Sequence, residues 1–179
     1  RELRFNLELH KPAKQICCIT PGDKKTMHFV CEPSLLTGEM LIPASKSHTI
    51  RAVIIGALAN GESEIRNPLV SNDTMAAAEA VTAFGAAVKR ETGTWIVAGC
   101  GGNPARARGD IDVGNSGTAL RLLMGTCALL PAGSTITMTG DEQIQRRPAG
   151  PLLRSLRDLG AHAVSVNDND CPPVVIGGH

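Results

Sequence analysis

The chain has 179 residues, enough for one substantial hydrophobic core or two small ones. Hydrophobic residues make up 42% and charged residues 20%, the balance of a globular chain and not of a disordered one. The net charge of +1 excludes a global field that would favour nucleic acid or an anionic membrane, so the basic residues matter by position and not by number.

Residues 1–28 are an extension whose structure the pattern leaves undefined. Leu3, Phe5, Leu7 and Leu9 alternate with polar residues as in a strand, and Lys11-Pro12 breaks the alternation. Ile16 to Ile19 is a short apolar run, and Pro21-Gly22-Asp23 is a turn signal. His28 to Cys31 reads as a strand, Leu36-Thr37-Gly38 as a turn, and Glu39-Met40-Leu41-Ile42 as another short strand.

Beyond this the order is clear. Ile50, Val53, Ile54, Ala57 and Leu58 recur at helical spacing and predict a helix from Ser47 to about Ala59, stopped by Asn60-Gly61. A strand is predicted at Ser63 to Arg66. A helix follows from Thr74 to about Phe84, with Asp73 as N-cap and Gly85 ending it. Strands at Ala87 to Arg90 and Thr94 to Ala98 come next, then a Gly-, Pro- and Arg-rich loop from Gly99 to Arg108. The order then repeats: helix Thr118 to Leu130, strand Thr135 to Thr139, helix Pro148 to Leu159, strands His162 to Val166 and Val174 to Ile176. Gly61 matches Gly133, Gly85 matches Gly160, and Arg51 matches Arg121. This is an internal repeat of one α/β unit, over about residues 39–105 and 106–179. Each unit is too small to bury a core alone, so the two should pack on each other.

Three stretches stand out chemically. Pro43-Ala44-Ser45-Lys46-Ser47-His48-Thr49-Ile50-Arg51 places two hydroxyls and two cations where a helix begins, and unpaired N–H groups and the helix dipole favour an anion there. Gly114-Asn115-Ser116-Gly117-Thr118-Ala119-Leu120-Arg121 repeats the idea, with Arg121 four residues after Gly117 as Arg51 is after Ser47. Gln145-Arg146-Arg147-Pro148 puts paired arginines ahead of a proline suited to a first helical position. Three basic helix starts point to a substrate with more than one anionic group. An ordinary serine cap with solvated cations explains the first stretch equally well.

These stretches, with Asn67-Pro68-Leu69, Ser71-Asn72-Asp73-Thr74 and Leu159-Gly160-Ala161, resemble the 5-enolpyruvylshikimate-3-phosphate synthase family in order and spacing, from about Phe29 to Gly178. Two departures are Ala44, where the family usually has Gly, and Leu122, where it often has Pro. The resemblance implies an inside-out α/β barrel of repeated βαβαββ units, helices inside and sheets outside, with residues 29–179 a partial domain holding two of its three units. It implies transfer of the enolpyruvyl group from phosphoenolpyruvate to 3-phosphoshikimate with release of phosphate, and no metal or organic cofactor. By resemblance Lys46, Ser47 and Arg51 bind 3-phosphoshikimate. Lys46, Asn115, Gly117, Thr118 and Arg147 serve phosphoenolpyruvate. No catalytic acid or base is identifiable, Lys46 being the closest candidate. The resemblance places that pair in a C-terminal domain, the remainder of the parent chain, and implies that this chain alone is inactive. The start at Arg1 and the end at Gly177-Gly178-His179 are read in the same way, as a piece of something longer.

The remaining candidates have plainer explanations. Arg121 is as well suited to bracing its loop as to touching a ligand, and Arg146 and His48 read as surface residues. Asp110 and Asp112 lack a third metal ligand at sensible spacing, and Asp141 and Glu142 read as solvated. The six cysteines show no C-x-x-C pair and no zinc spacing, so free thiols in a reducing cytoplasm are expected. No apolar run reaches the roughly 18 residues that a membrane span needs. Two alternatives stay open. The related transferase acting on UDP-N-acetylglucosamine carries Lys-Asn where this chain has Lys46-Ser47, and its loop cysteine has no match here. The other is a non-catalytic anion-binding module.

Overall fold

The structure, a computed structural model, describes residues 19–21, 27–29, 42–105 and 109–178. These fall into two compact units, Arg1–Ile42 and Pro43–His179. In the first, β1 (Ile19–Pro21) and β2 (Met27–Phe29) form an antiparallel pair with Ile19 opposite Phe29. The expected strand over residues 3–9 and all but the last residue of the one expected over 39–42 lie outside the described residues, and Ile42 itself is not in a strand.

The second unit is the repeat. Its first half runs α1 (Lys46–Leu58), β3 (Glu62–Arg66), α2 (Asn72–Ala80) with a 3-10 turn at Val81–Phe84, β4 (Ala87–Glu91) and β5 (Thr94–Ala98). Its second half runs β6 (Ile111–Asp112), α3 (Gly117–Cys127), β7 (Thr135–Thr139), a 3-10 turn at Ile144–Arg146, α4 (Gly150–Asp158), β8 (His162–Ser165) and β9 (Val174–Gly177). In both halves the last strand lies between the other two, giving β3-β5-β4 and β7-β9-β8, all antiparallel. β6 joins the second sheet parallel to β7. The matched glycines share their backbone state: φ is +84° at Gly61 and +76° at Gly133, +102° at Gly85 and +93° at Gly160.

The sequence explains the layering. Each sheet alternates buried and exposed positions, so one face is apolar: Trp95 and Val97 on β5, Ile136 and Met138 on β7, Val174 and Ile176 on β9. The helices cover these faces. α1 packs on β3 and β5, α3 on β7 and β9, and α1 and α3 pack on each other. Ile50, Val53 and Ile54 of α1 and Leu120, Leu123 and Met124 of α3 are buried in the common core. The helices therefore lie inside and the sheets outside.

Two expected helix starts are corrected. The N-cap of α2 is Ser71, not Asp73: Ser71 and Thr74 form a capping box, because their hydroxyls reach each other's backbone N–H. The helix expected from Pro148 begins at Gly150, because Arg147 is extended and Ala149 is the cap, with Pro151 in the first turn. The Ala149 N–H donates to the Asp170 carbonyl (2.7 Å), and the Asp170 carboxylate packs against Gly150. An anion from within the chain thus occupies this helix start, and the paired arginines belong to the preceding turn.

Candidate functional site

The starts of α1 and α3 are built alike. The Ser45 hydroxyl caps α1 by accepting from the His48 N–H (3.3 Å), and its carbonyl accepts from Thr49 (3.0 Å). The Ser116 hydroxyl caps α3 by accepting from the Ala119 N–H (3.1 Å), and its carbonyl accepts from Leu120 (3.0 Å). Among the described residues nothing accepts from the N–H groups of Lys46 and Ser47, or from those of Gly117 and Thr118. Each helix thus offers two backbone donors at its positive end. Each also carries an arginine one turn in. Arg51 Nη1 donates to the Ser47 carbonyl (3.1 Å) and Arg121 Nη1 to the Gly117 carbonyl (3.2 Å), so both guanidiniums are held beside the donors.

Around α3 the loops close into one cluster. Arg121 Nη2 also donates to the Pro148 carbonyl (3.2 Å), tying the α3 start to the segment that carries Arg147. A Cβ on Gly117 would stand 2.9 Å from Arg147 Nη1 and 3.2 Å from Arg121 Nη1, so the absent side chain leaves room for two guanidiniums. No carboxylate pairs with Arg121 or Arg147 among the described residues. Two adjacent cations over free N–H groups make a site of positive potential. Asn115 is turned to one side, its Nδ2 donating to Asp141 Oδ2 (2.7 Å). Asp141 is not merely solvated: its Oδ1 accepts from the N–H groups of Gln143 and Ile144 (both 3.0 Å) and holds the loop.

Around α1 the cation has a counter-charge. Lys46 Nζ lies 2.6 Å from Asp73 Oδ2, with side chains 52% and 15% exposed. Asp73 is therefore the residue that the sequence pattern missed. Its place beside a capping motif concealed a contact made 27 positions away. His48 is exposed, and Asp112, at the end of β6, accepts from the Gly114 N–H (2.8 Å) of the turn that follows. The Arg121 brace matches the plainer of its two readings. Lys46, Ser47 and Arg51 all lie in α1, with Arg51 joined to Ser47, whereas Arg147 lies against Gly117 of α3 and Asn115 is joined to Asp141. No hydrogen bond or ion pair joins these two groups among the described residues.

Burial pushes the Cys127 thiol up to about 12, so it carries no nucleophile at neutral pH.

The family model EPSP synthase (3-phosphoshikimate 1-carboxyvinyltransferase) matches residues 30–179. A 3-phosphoshikimate 1-carboxyvinyltransferase of Acetivibrio thermocellus is 47% identical over 145 residues, covering 81% of this chain and 34% of the relative. Another, of Halobacterium salinarum, is 45% identical over 152 residues, covering 85% and 35%. The solved EPSP synthase of Acinetobacter baumannii superposes with a TM-score of 0.72 at 29% identity, over 79% of this chain and 32% of that one. The chain spans about a third of the length of the curated relatives it matches. With the repeat, the paired helix starts and these matches together, the chain belongs to the EPSP synthase (3-phosphoshikimate 1-carboxyvinyltransferase) family.

Proposed function

We propose that the full-length protein transfers the enolpyruvyl group of phosphoenolpyruvate to the 5-hydroxyl of 3-phosphoshikimate, releasing phosphate. One observation carries most weight: two equivalent helix starts, each with two N–H groups that have no acceptor among the described residues and a tethered arginine, in a chain of this family. In this reading Lys46, Ser47 and Arg51 hold 3-phosphoshikimate. Asn115, Gly117, Thr118 and Arg147 hold phosphoenolpyruvate, Lys46 reaches both, and the two groups face one cleft. Arg147 offers a planar fork to a carboxylate or phosphate.

The carboxylates near these residues are engaged, Asp73 by Lys46 and Asp141 by Asn115 and two backbone N–H groups. In line with the family resemblance, the base for the attacking hydroxyl and the acid for the phosphoenolpyruvate methylene come from the remainder of the full-length protein. This chain positions anions, and its partners are the two substrates and that remainder. Among the described residues no helix is long and apolar enough to cross a membrane. The proposed location is the cytoplasm.

The test is to incubate the full-length protein with phosphoenolpyruvate and either 3-phosphoshikimate or UDP-N-acetylglucosamine, and to measure phosphate and product mass. Release with 3-phosphoshikimate alone is the expected result. Release only with the nucleotide sugar supports the related transferase, and release with neither supports a binding module.

A further inference from the structure

The starts of α1 and α2 are fastened together by two buried threonines, 4% and 0% exposed, acting on the backbone of one residue, Leu69. Thr49 Oγ1 donates to the Ser45 carbonyl and accepts from the Leu69 N–H, both at 3.0 Å. Thr74 Oγ1 donates to the Leu69 carbonyl (2.8 Å) and accepts from the Ser71 N–H (2.9 Å). Leu69 thus has its N–H held by the first turn of α1 and its carbonyl by the first turn of α2. The Lys46–Asp73 pair lies between those same two turns. Lysine has a flexible four-carbon stem, and Lys46 is half exposed, so its ammonium has many places to go unless something fixes it. Asp73 can fix it only if its own helix start is held in place.

We propose that Thr49 is a positioning residue: by bridging the Ser45 carbonyl to the Leu69 N–H it sets α2 against α1, and so keeps the Asp73 carboxylate on the Lys46 ammonium and that ammonium aimed at the anion site. This rests on Lys46 being a substrate contact. Valine is close to threonine in shape, so what Thr49→Val chiefly removes is the bridge between the Ser45 carbonyl and the Leu69 N–H, and the coupling to Lys46 separates positioning from a general loss of stability.

The experiment measures the dissociation constant for 3-phosphoshikimate in the full-length protein for Thr49→Val, Thr49→Ser, Lys46→Met and Thr49→Val/Lys46→Met. Thr49→Val should weaken binding roughly tenfold, Thr49→Ser should restore it to within about twofold, and the double variant should bind about as weakly as Lys46→Met alone, because coupled residues are not additive. Should Thr49→Val fail to fold in a thermal melt, Asp73→Ala tests the same link from its exposed end. It should weaken binding by a similar factor, again without adding to Lys46→Met. Multiplying effects of Thr49→Val and Lys46→Met overturn the proposal, as does unchanged affinity in Thr49→Val. Tighter binding in Asp73→Ala also overturns it, because Asp73 would then only compete with the ligand. Unchanged affinity in Lys46→Met removes the substrate-contact reading itself, a different result from either of these.

Discussion

Arg147 stands over Gly117, its Nη1 2.9 Å from where a Cβ on that glycine would be. The neighbour is the far end of a flexible side chain, so Gly117→Ala displaces the guanidinium without unfolding the helix start. Gly117 has no positive φ, and alanine is the better helix former by up to about 1 kcal/mol. The variant should therefore melt at or slightly above the native temperature. Its KM for phosphoenolpyruvate should rise by roughly five- to thirtyfold, the equivalent of about 1–2 kcal/mol of a charge-assisted contact. Paired melting and steady-state measurements check both halves.

Lys46→Met keeps the length of the side chain and removes its charge. Binding of 3-phosphoshikimate should weaken by about tenfold to a hundredfold or more, from the roughly 1.5–3 kcal/mol of a hydrogen bond to a charged group. Stability should change by only about 1 kcal/mol or less, since the Lys46 half of the pair with Asp73 is half exposed. Isothermal titration and a denaturant curve separate the two effects.

Arg121 bridges two carbonyls that lysine cannot span together. Arg121→Lys should cost roughly 0.5–1.5 kcal/mol of stability and raise the KM for phosphoenolpyruvate about threefold by loosening the segment that carries Arg147. Arg51→Lys, which loses a single carbonyl contact, should destabilise less. Chemical denaturation of both variants checks the order.

The repeat was readable because it rests on local signals. Strands Thr94–Ala98 and Thr135–Thr139 have the bounds that alternation predicts, and the helices end near their glycine and proline stops. The α2 cap was misplaced because Ser71 and Asp73 are both good caps by residue type, and only the reciprocal bond with Thr74 decides between them. The α4 start was misplaced because Pro148 and Pro151 both suit a first helical turn by residue type, and Pro151 is the one that holds that place, with Ala149 as the cap tied to the Asp170 carbonyl. The site residues were legible as residue types at helix starts. Their counter-charges were not, because the Lys46–Asp73 and Asn115–Asp141 contacts span 27 and 26 positions and leave no local pattern.

Cys127 links burial to pH. Folding raises its thiol from an ordinary 9.0 to about 12 by desolvation of the charged form. The associated stability is fully present below about pH 9 and is lost as pH rises toward 12, by up to about 4 kcal/mol, because the unfolded chain releases the proton first. Cys127→Ala should flatten that loss, although the smaller side chain lowers stability at neutral pH. In native protein at pH 8 an alkylating reagent should leave Cys127 unmodified and should modify it after denaturation. Mass spectrometry of the labelled peptide reads the outcome.

Phosphate release by the full-length protein, with and without Arg147→Ala, is the most direct test of the assignment. Release should require phosphoenolpyruvate and 3-phosphoshikimate together, and Arg147→Ala should lower kcat/KM for phosphoenolpyruvate by at least about a hundredfold, as removal of a bidentate charge-assisted contact requires. Absence of release from the wild-type protein, or release that Arg147→Ala leaves unchanged, would contradict it.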